Sequence, residues 1–390
     1  MKLAIVISHP IQHFCPQYAS LAKNPALEVK VFFASALGYK RYMDADFGQA
    51  IAWNNLRLEE FAHEFLNGGE ALPADKDLDA PGLDKALETF APELILLHGY
   101  FQKYQRRACT WARRHGVATA YISDSERRQK RPVIRELLKY PYLRTWFSHI
   151  DVFLSVGDAN EAYYRHYGVP ASKVIRMHFS FDWHFYREAY AKRAELRRTI
   201  REKLGVADDA VVLSVVGKLV AWKNQADIID AMQKMEDAGI TANLVILGSG
   251  QDMDRLKQKA AKLKKSKVFL PGFVTPEELP GYYAATDIYV HPASIEPHSL
   301  AISEAIYMSC PVVLSDRCGS YGPDDDVQEG KNGYVFRCGD AGDLADKIIG
   351  LIKDPDARRI FGAYSHALGE RFQQRSHEGF VPELLDKLRL

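Results

Sequence analysis

Short apolar runs alternate with helical patterns twice along this 390-residue chain, and few architectures accommodate that order. In the first half Leu3–Ile7, Glu28–Phe33, Glu93–Leu97, Val117–Ile122 and Val152–Val156 read as strands, separated by helical stretches such as Pro16–Lys23 and Tyr104–His115. In the second half the strands are Val211–Val216, Asn243–Leu247, Val268–Leu270, Ile288–His291 and Val312–Leu314, with helices such as Gln225–Ala238 and Met253–Lys264 between them. The expected fold class is α/β, with two doubly wound layers. Open sheets of this kind take ligands outside the carboxyl ends of their strands, so two such sheets facing each other predict a cleft.

Composition narrows the function classes. Lys and Arg number 51 against 50 Asp and Glu, a net charge of +1, so bulk charge gives no nucleic-acid footprint and no nucleic-acid partner is expected. The five cysteines are widely spaced and form no C-x-x-C, which argues against a disulfide scaffold or a zinc ribbon and fits a reducing cytoplasm. The apolar run after Met1-Lys2 ends at Ile7, too short for a signal core or a spanning helix, so a cytoplasmic location is expected.

The densest chemistry lies between Val268 and Phe336. Glu296 falls in a loop after the strand ending at His291, and Glu304 lies eight positions on, inside a helix read as Leu300 to Ser309 with Ser299 as its N-cap. Free N–H groups at a helix start attract phosphate, and carboxylates accept hydroxyl hydrogen bonds, so the spacing suits a sugar nucleotide. The segment Glu296-Pro297-His298-Ser299-Leu300, Glu304-Ala305, Cys310-Pro311-Val312-Val313 resembles the donor-binding half of a GT-B glycosyltransferase, specifically the retaining group called family 4. The resemblance implies two Rossmann-like domains. Residues 1–185 would hold the acceptor and 186–370 the nucleotide sugar, the hinge standing at Asp182 and Phe185. A C-terminal helix over 371–390 would pack back on the first domain.

Further site residues follow from the resemblance. Gly217-Lys218 and Lys223 stand where the family has G-R and Lys, so Lys218 and Lys223 would hold the two phosphates, and with Glu296 they form the expected catalytic set. Gly248 and Gly250 would supply a tight turn near the donor, and Gly272, Phe273 and Val274 would hold the base. Glu304 would bind the ribose, while Glu296 with His298 would face the transferred sugar, with Pro297, Ser299 and Leu300 alongside. His298 and Ser299 replace the usual Phe-Gly, which leaves the sugar undefined. The opening Ser8-His9-Pro10-Ile11-Gln12 is similar to a bacterial subgroup with S-H-P-I-Q, placing His9, His13 and His98 in the cleft on the acceptor side. A histidine that many members carry is replaced by Ser123 or Asp124; Asp124 is an alternative base.

The expected function is therefore transfer of a sugar from a nucleotide sugar, with a UDP-sugar favoured, to a saccharide or lipid-linked acceptor. Epimerisation or hydrolysis of the donor on the same fold, and a non-catalytic sugar-nucleotide scaffold, are the alternatives. No cofactor and no metal are expected, since the D-x-D at Asp44-Ala45-Asp46 lies in an aromatic loop and the lysines already meet the diphosphate. Residues 127–149 mix cations with Ile134, Leu137, Leu138, Tyr142, Trp146 and Phe147. This reads either as a peripheral membrane contact or as a helix packed on the first domain.

Overall fold

In the computed structural model, which describes all residues except 41, 45–48, 52, 54–55, 130–132 and 389–390, the apolar runs form two parallel sheets. The first-half strands are β1 (Lys2–Ile7), β2 (Glu28–Phe33), β3 (Tyr42–Asp44), β4 (Gln49–Ile51), β5 (Ala62–Phe65), β6 (Leu94–His98), β7 (Ala118–Ile122), β8 (Val152–Ser155) and β9 (Val174–Arg176). Seven of them make one sheet in the order β5-β2-β1-β6-β7-β8-β9, and β3 and β4 pair as a separate antiparallel hairpin. The second half contributes β10 (Val212–Val216), β11 (Asn243–Leu247), β12 (Lys267–Gly272), β13 (Ile288–His291), β14 (Val312–Ser315) and β15 (Gly333–Phe336), ordered β12-β11-β10-β13-β14-β15. Strands such as Leu94–His98 are apolar almost throughout because helices cover both faces of the sheet.

Strand order reverses between β1 and β6 in one sheet and between β10 and β13 in the other. Carboxyl ends diverge at such switch points and leave a crevice. The two crevices face each other across the chain's main cleft, whose walls include Ser8 and His98 from one sheet and Gly217 and Glu296 from the other.

The passage between domains is double. Met177 and Phe179 pack into the first domain's core and Phe181, Trp183 and Tyr186 into the second's, so the first crossing occupies 177–182. Asp182 caps the helix Trp183–Ala191 by accepting from the Phe185 N–H. The chain returns through a short π-helical stretch, Arg375–Gly379, and the last helix, Phe380–Leu388, buries Phe380, Val381 and Leu384 in the first domain's core. Of the D-x-D, Asp44 ends β3, and residues 45 and 46 lie outside the described residues. Helix Val133–Ser148 divides the expected basic-apolar segment. Leu143, Trp146 and Phe147 are buried, whereas Val133, Ile134, Leu137, Leu138 and Tyr142 are exposed. Among the described residues no helix is long and apolar enough to cross a membrane.

Candidate active site

The cleft between the sheets has a volume of about 720 Å³. Backbone approach at its second-domain wall is extreme. A Cβ on Gly248 would lie 1.9 Å from the Gly217 carbonyl oxygen, and one on Gly250 would lie 2.4 Å from that of Leu219. Both residues have φ in the region that disfavours side chains, +142° and +151°, so glycine is required twice over. Gly217, Lys218, Trp222 and Lys223 line the cleft, whereas Gly248 and Gly250 sit behind them and set the path of the Lys218 loop.

Glu296 hangs from the loop after β13 and accepts from the Lys223 ammonium. A second partner, unforeseen in the sequence, is His291 at the end of β13, whose Nε2 lies 3.0 Å from the same carboxylate oxygen, with the Tyr289 hydroxyl 3.4 Å from its Nδ1. Burial pushes the pKa of Glu296 up, but the His291 hydrogen bond and the Lys223 charge outweigh it and hold the carboxyl down at about 2. Burial lowers the His291 pKa, so the ring is neutral and donates through Nε2. Glu296 is thus a fixed anion between a cation and a neutral donor.

Loop 296–299 is buttressed from outside the cleft. The Gly319 N–H donates to the Glu296 carbonyl at 2.8 Å, the Ser299 N–H donates to Ser320 Oγ at 2.9 Å, and a Cβ on Gly319 would lie 1.7 Å from the Pro297 carbonyl oxygen. Ser299 holds the N-cap position of the helix Leu300–Tyr307, but its hydroxyl makes no capping bond. His298 faces the cleft with Nε2 3.5 Å from Asp325 and 3.4 Å from Asp326. Burial alone would lower its pKa; Asp326, Asp325 and Asp124 raise it above the usual histidine value. His178, Asp325 and Asp326 form a buried cluster whose potential ligand atoms lie within 4.8 Å of one another. Asp326 accepts from the Ser303 hydroxyl and Asp325 from the Asp158 N–H, so the cluster also ties the domains together.

Glu304 lines a second cavity of about 220 Å³, which shares His13 and Leu300 with the main cleft. The Tyr283 hydroxyl donates to it at 2.9 Å. Burial raises its pKa to about 7 against the opposing hydrogen bonds of Tyr283 and Tyr186. Gly272, Phe273 and Val274 line neither cavity; Pro276 and Glu277, a few residues on, reach the Glu304 cavity instead.

On the first-domain wall, His13, His98, Ser123 and Asp124 line the cleft. His9 does not; its Nδ1 lies 2.9 Å from Ser8 Oγ, and Ser8 takes the lining position. Burial lowers the pKa of His13 to about 4 and of His98 to about 3, so both rings are neutral at pH 7. Asp124 is pushed upward by burial, with the Glu296 charge adding to the rise.

Residues 197–367 match the family model described as glycosyl transferases group 1. Over 175 residues the chain is 26% identical to the alpha-monoglucosyldiacylglycerol synthase of Acholeplasma laidlawii, covering 44% of this chain and 42% of that one. It is 24% identical over 297 residues to the putative glycosyltransferase EpsD of Bacillus subtilis, covering 75% and 76%. The chain spans less than half the length of the first of these relatives. Anabaena HepE, solved in complex with UDP, superposes with a TM-score of 0.71 at 19% identity, covering 99% of this chain and 100% of that one. Sucrose-phosphate synthase from Thermosynechococcus elongatus gives 0.70 at 17%, covering 100% and 99%. The architecture is thus GT-B, with residues 197–367 matching the glycosyl transferases group 1 model.

Proposed function

We propose that the protein is a retaining glycosyltransferase of family 4 that moves a sugar from a nucleotide diphosphate sugar, with a UDP-sugar favoured, to a saccharide or lipid-linked acceptor. The observation that carries this reading is the convergence of Lys218, Lys223, Glu296 and His298 on one wall of a cleft with Asp124 opposite. Lys218 and Lys223 meet the diphosphate, beside the start of helix Leu300–Tyr307. Glu304 meets the ribose in the adjoining cavity, and Glu296 and His298 meet the transferred sugar. The acceptor hydroxyl oxygen bonds to the anomeric carbon while the bond from that carbon to the diphosphate oxygen breaks, the electron pair leaving with the diphosphate. The hydroxyl proton passes to the departing phosphate; Asp124 is the alternative base. Incoming and leaving groups share one face of the sugar, so configuration is retained. The likeness to the putative glycosyltransferase EpsD and the UDP complex of HepE support this reading. A UDP-GlcNAc 2-epimerase shares the fold at a TM-score of 0.62, so epimerisation stands as the second reading. Screening UDP-, GDP- and ADP-sugars by thermal shift tests the donor, because binding raises stability by RT ln(1 + [L]/Kd). Product analysis with an acceptor then separates transfer from epimerisation or hydrolysis.

The proposed chemistry needs no metal, since two lysines face the diphosphate. Transfer is expected to survive EDTA and the double substitution Asp44→Ala, Asp46→Ala. Strict dependence on added Mn²⁺ or Mg²⁺, abolished by that double substitution, would reverse the assignment.

Glu304 gives the donor site a pH dependence. Its pKa of about 7 leaves it largely protonated at pH 6, and only the carboxylate accepts from both ribose hydroxyls. Donor affinity should rise about tenfold between pH 6 and the plateau above about pH 8. Glu304→Gln should flatten that profile, as titration calorimetry of UDP binding would show. The ligand-free fold shows the opposite trend: the native state keeps a proton that the unfolded chain releases, so this contribution to stability is lost as pH rises from 4.5 to about 7.

A peripheral membrane contact through 127–149 belongs to the same proposal, carried by the exposed half of helix Val133–Ser148.

A further inference from the structure

Beside the main cleft, the first domain carries a third cavity of about 750 Å³. It shares Gly99, Ser123 and Asp124 with the main cleft, so the two spaces meet at Asp124. The walls of this groove are aromatic: Tyr100, Phe101, Tyr121 and Tyr142. Tyr100 and Tyr121 are held from behind by Trp146, with ring centroids 5.9 Å and 5.3 Å away. Tyr121 is fully buried and forms the floor beneath the exposed rings of Phe101 and Tyr142. Ser125 and Gln129 add hydroxyl and amide groups.

The outer rim has a different chemistry. Leu138 lines the groove at 73% exposure, and on the same helix Ile134 and Leu137 are 74% and 67% exposed. Three residues at i, i+3 and i+4 make one apolar crest leading out of an aromatic and polar groove. A soluble oligosaccharide would find nothing to do there, and isolated large apolar residues rarely gather into such a patch without an occupant.

We infer that this groove takes an amphiphilic acceptor, a saccharide whose sugar lies against Phe101 and Tyr142 and whose aglycone is an alkyl or isoprenoid-like chain lying along Ile134, Leu137 and Leu138. The inference rests on the transferase reading and narrows its acceptor to one chemical class. Continuity with the donor cleft carries it, because an acceptor hydroxyl entering along the groove arrives at Asp124, where the two cavities join. The aromatic faces and scattered polar groups suit a ring with one apolar face and a polar edge. The crest then shields the chain that follows it.

The test compares methyl and n-octyl β-D-glucoside, the latter below its micellar concentration, as probes of the full-length protein. Binding is read from tryptophan fluorescence, since Trp146 backs the groove. Binding of UDP, GDP and ADP is measured in parallel by thermal shift. Octyl glucoside should bind more than about tenfold tighter than methyl glucoside, because burial of only two methylenes already supplies that ratio. Leu137→Ser with Leu138→Ser should remove the advantage while leaving nucleotide binding unchanged, and Tyr142→Ser should weaken both glucosides. Equal binding of the two probes, or an octyl advantage that survives the leucine substitutions, overturns the inference. Adsorption to anionic phosphatidylglycerol vesicles without any preference between the glucosides also overturns it, in favour of a plain membrane surface. Failure of the unmodified protein to bind any of UDP, GDP and ADP would instead count against the transferase reading.

Discussion

Lys223→Ala is expected to lower turnover by roughly 10²-fold or more, and Lys218→Ala to act similarly. Bond breaking concentrates negative charge on the departing diphosphate, and a fixed cation at those oxygens lowers the barrier directly; loss of one such contact costs about that factor. Lys223 has a second duty in the ligand-free protein, where it pairs with Glu296. In the proposed mechanism donor binding would draw the ammonium partly toward phosphate, and His291 would keep Glu296 in place when it does so. Steady-state rates of each variant with the identified donor are the measurement. A folded Lys218→Ala, Lys223→Ala protein with near-native turnover would remove both lysines from the mechanism.

The two glutamates should fail in different ways. Glu296 stands in the main cleft, where the proposed reaction would build positive charge on the sugar ring, and Glu296→Gln should cut kcat by about 10² to 10³ with little change in KM. Glu304 lies in the adjoining cavity, and its contacts to ribose would persist unchanged through the reaction. Glu304→Gln should raise the donor KM about tenfold or more, the cost of losing hydrogen bonds to a charged acceptor, and spare kcat. Steady-state kinetics at saturating acceptor distinguishes the two outcomes. Equal effects on kcat and KM at both positions would dissolve the division of labour.

The parts of this site that were legible in the sequence are those carried by buried strands and by close-packed glycines. β1, β2, β6, β7, β10, β11 and β13 announce themselves as apolar runs because both faces are covered. β5 and β15 end their sheets, and β5, Ala-His-Glu-Phe, carries no fully buried residue, so its composition gives little to read. β9 is three residues long and its last is an arginine. The partners of His298 were illegible for another reason. Asp325 and Asp326 are more than twenty positions away and meet the histidine only because the loop after β14 folds back under residues 296–299. An acidic run after Gly322-Pro323 reads as solvated loop until the fold encloses it. His291 offered more of a signal, as a polar residue ending a fully buried strand five positions before a candidate catalytic glutamate.

The return of the last helix to the first domain makes the second domain an insertion within the first, entered at 177–182 and left at 373–379. These two stretches run side by side: Gln373 reaches the Phe179 carbonyl at 3.1 Å, and Ser376 donates to the His178 carbonyl at 3.2 Å. A lone tether would let the lobes swivel about its own axis. A paired tether resists torsion and leaves bending across the pair as the soft coordinate, so the lobes should open and shut like a book and keep the two strand-end crevices in register. Cutting the chain after residue 370 would therefore strip one leaf of part of its filling and free the other to rotate.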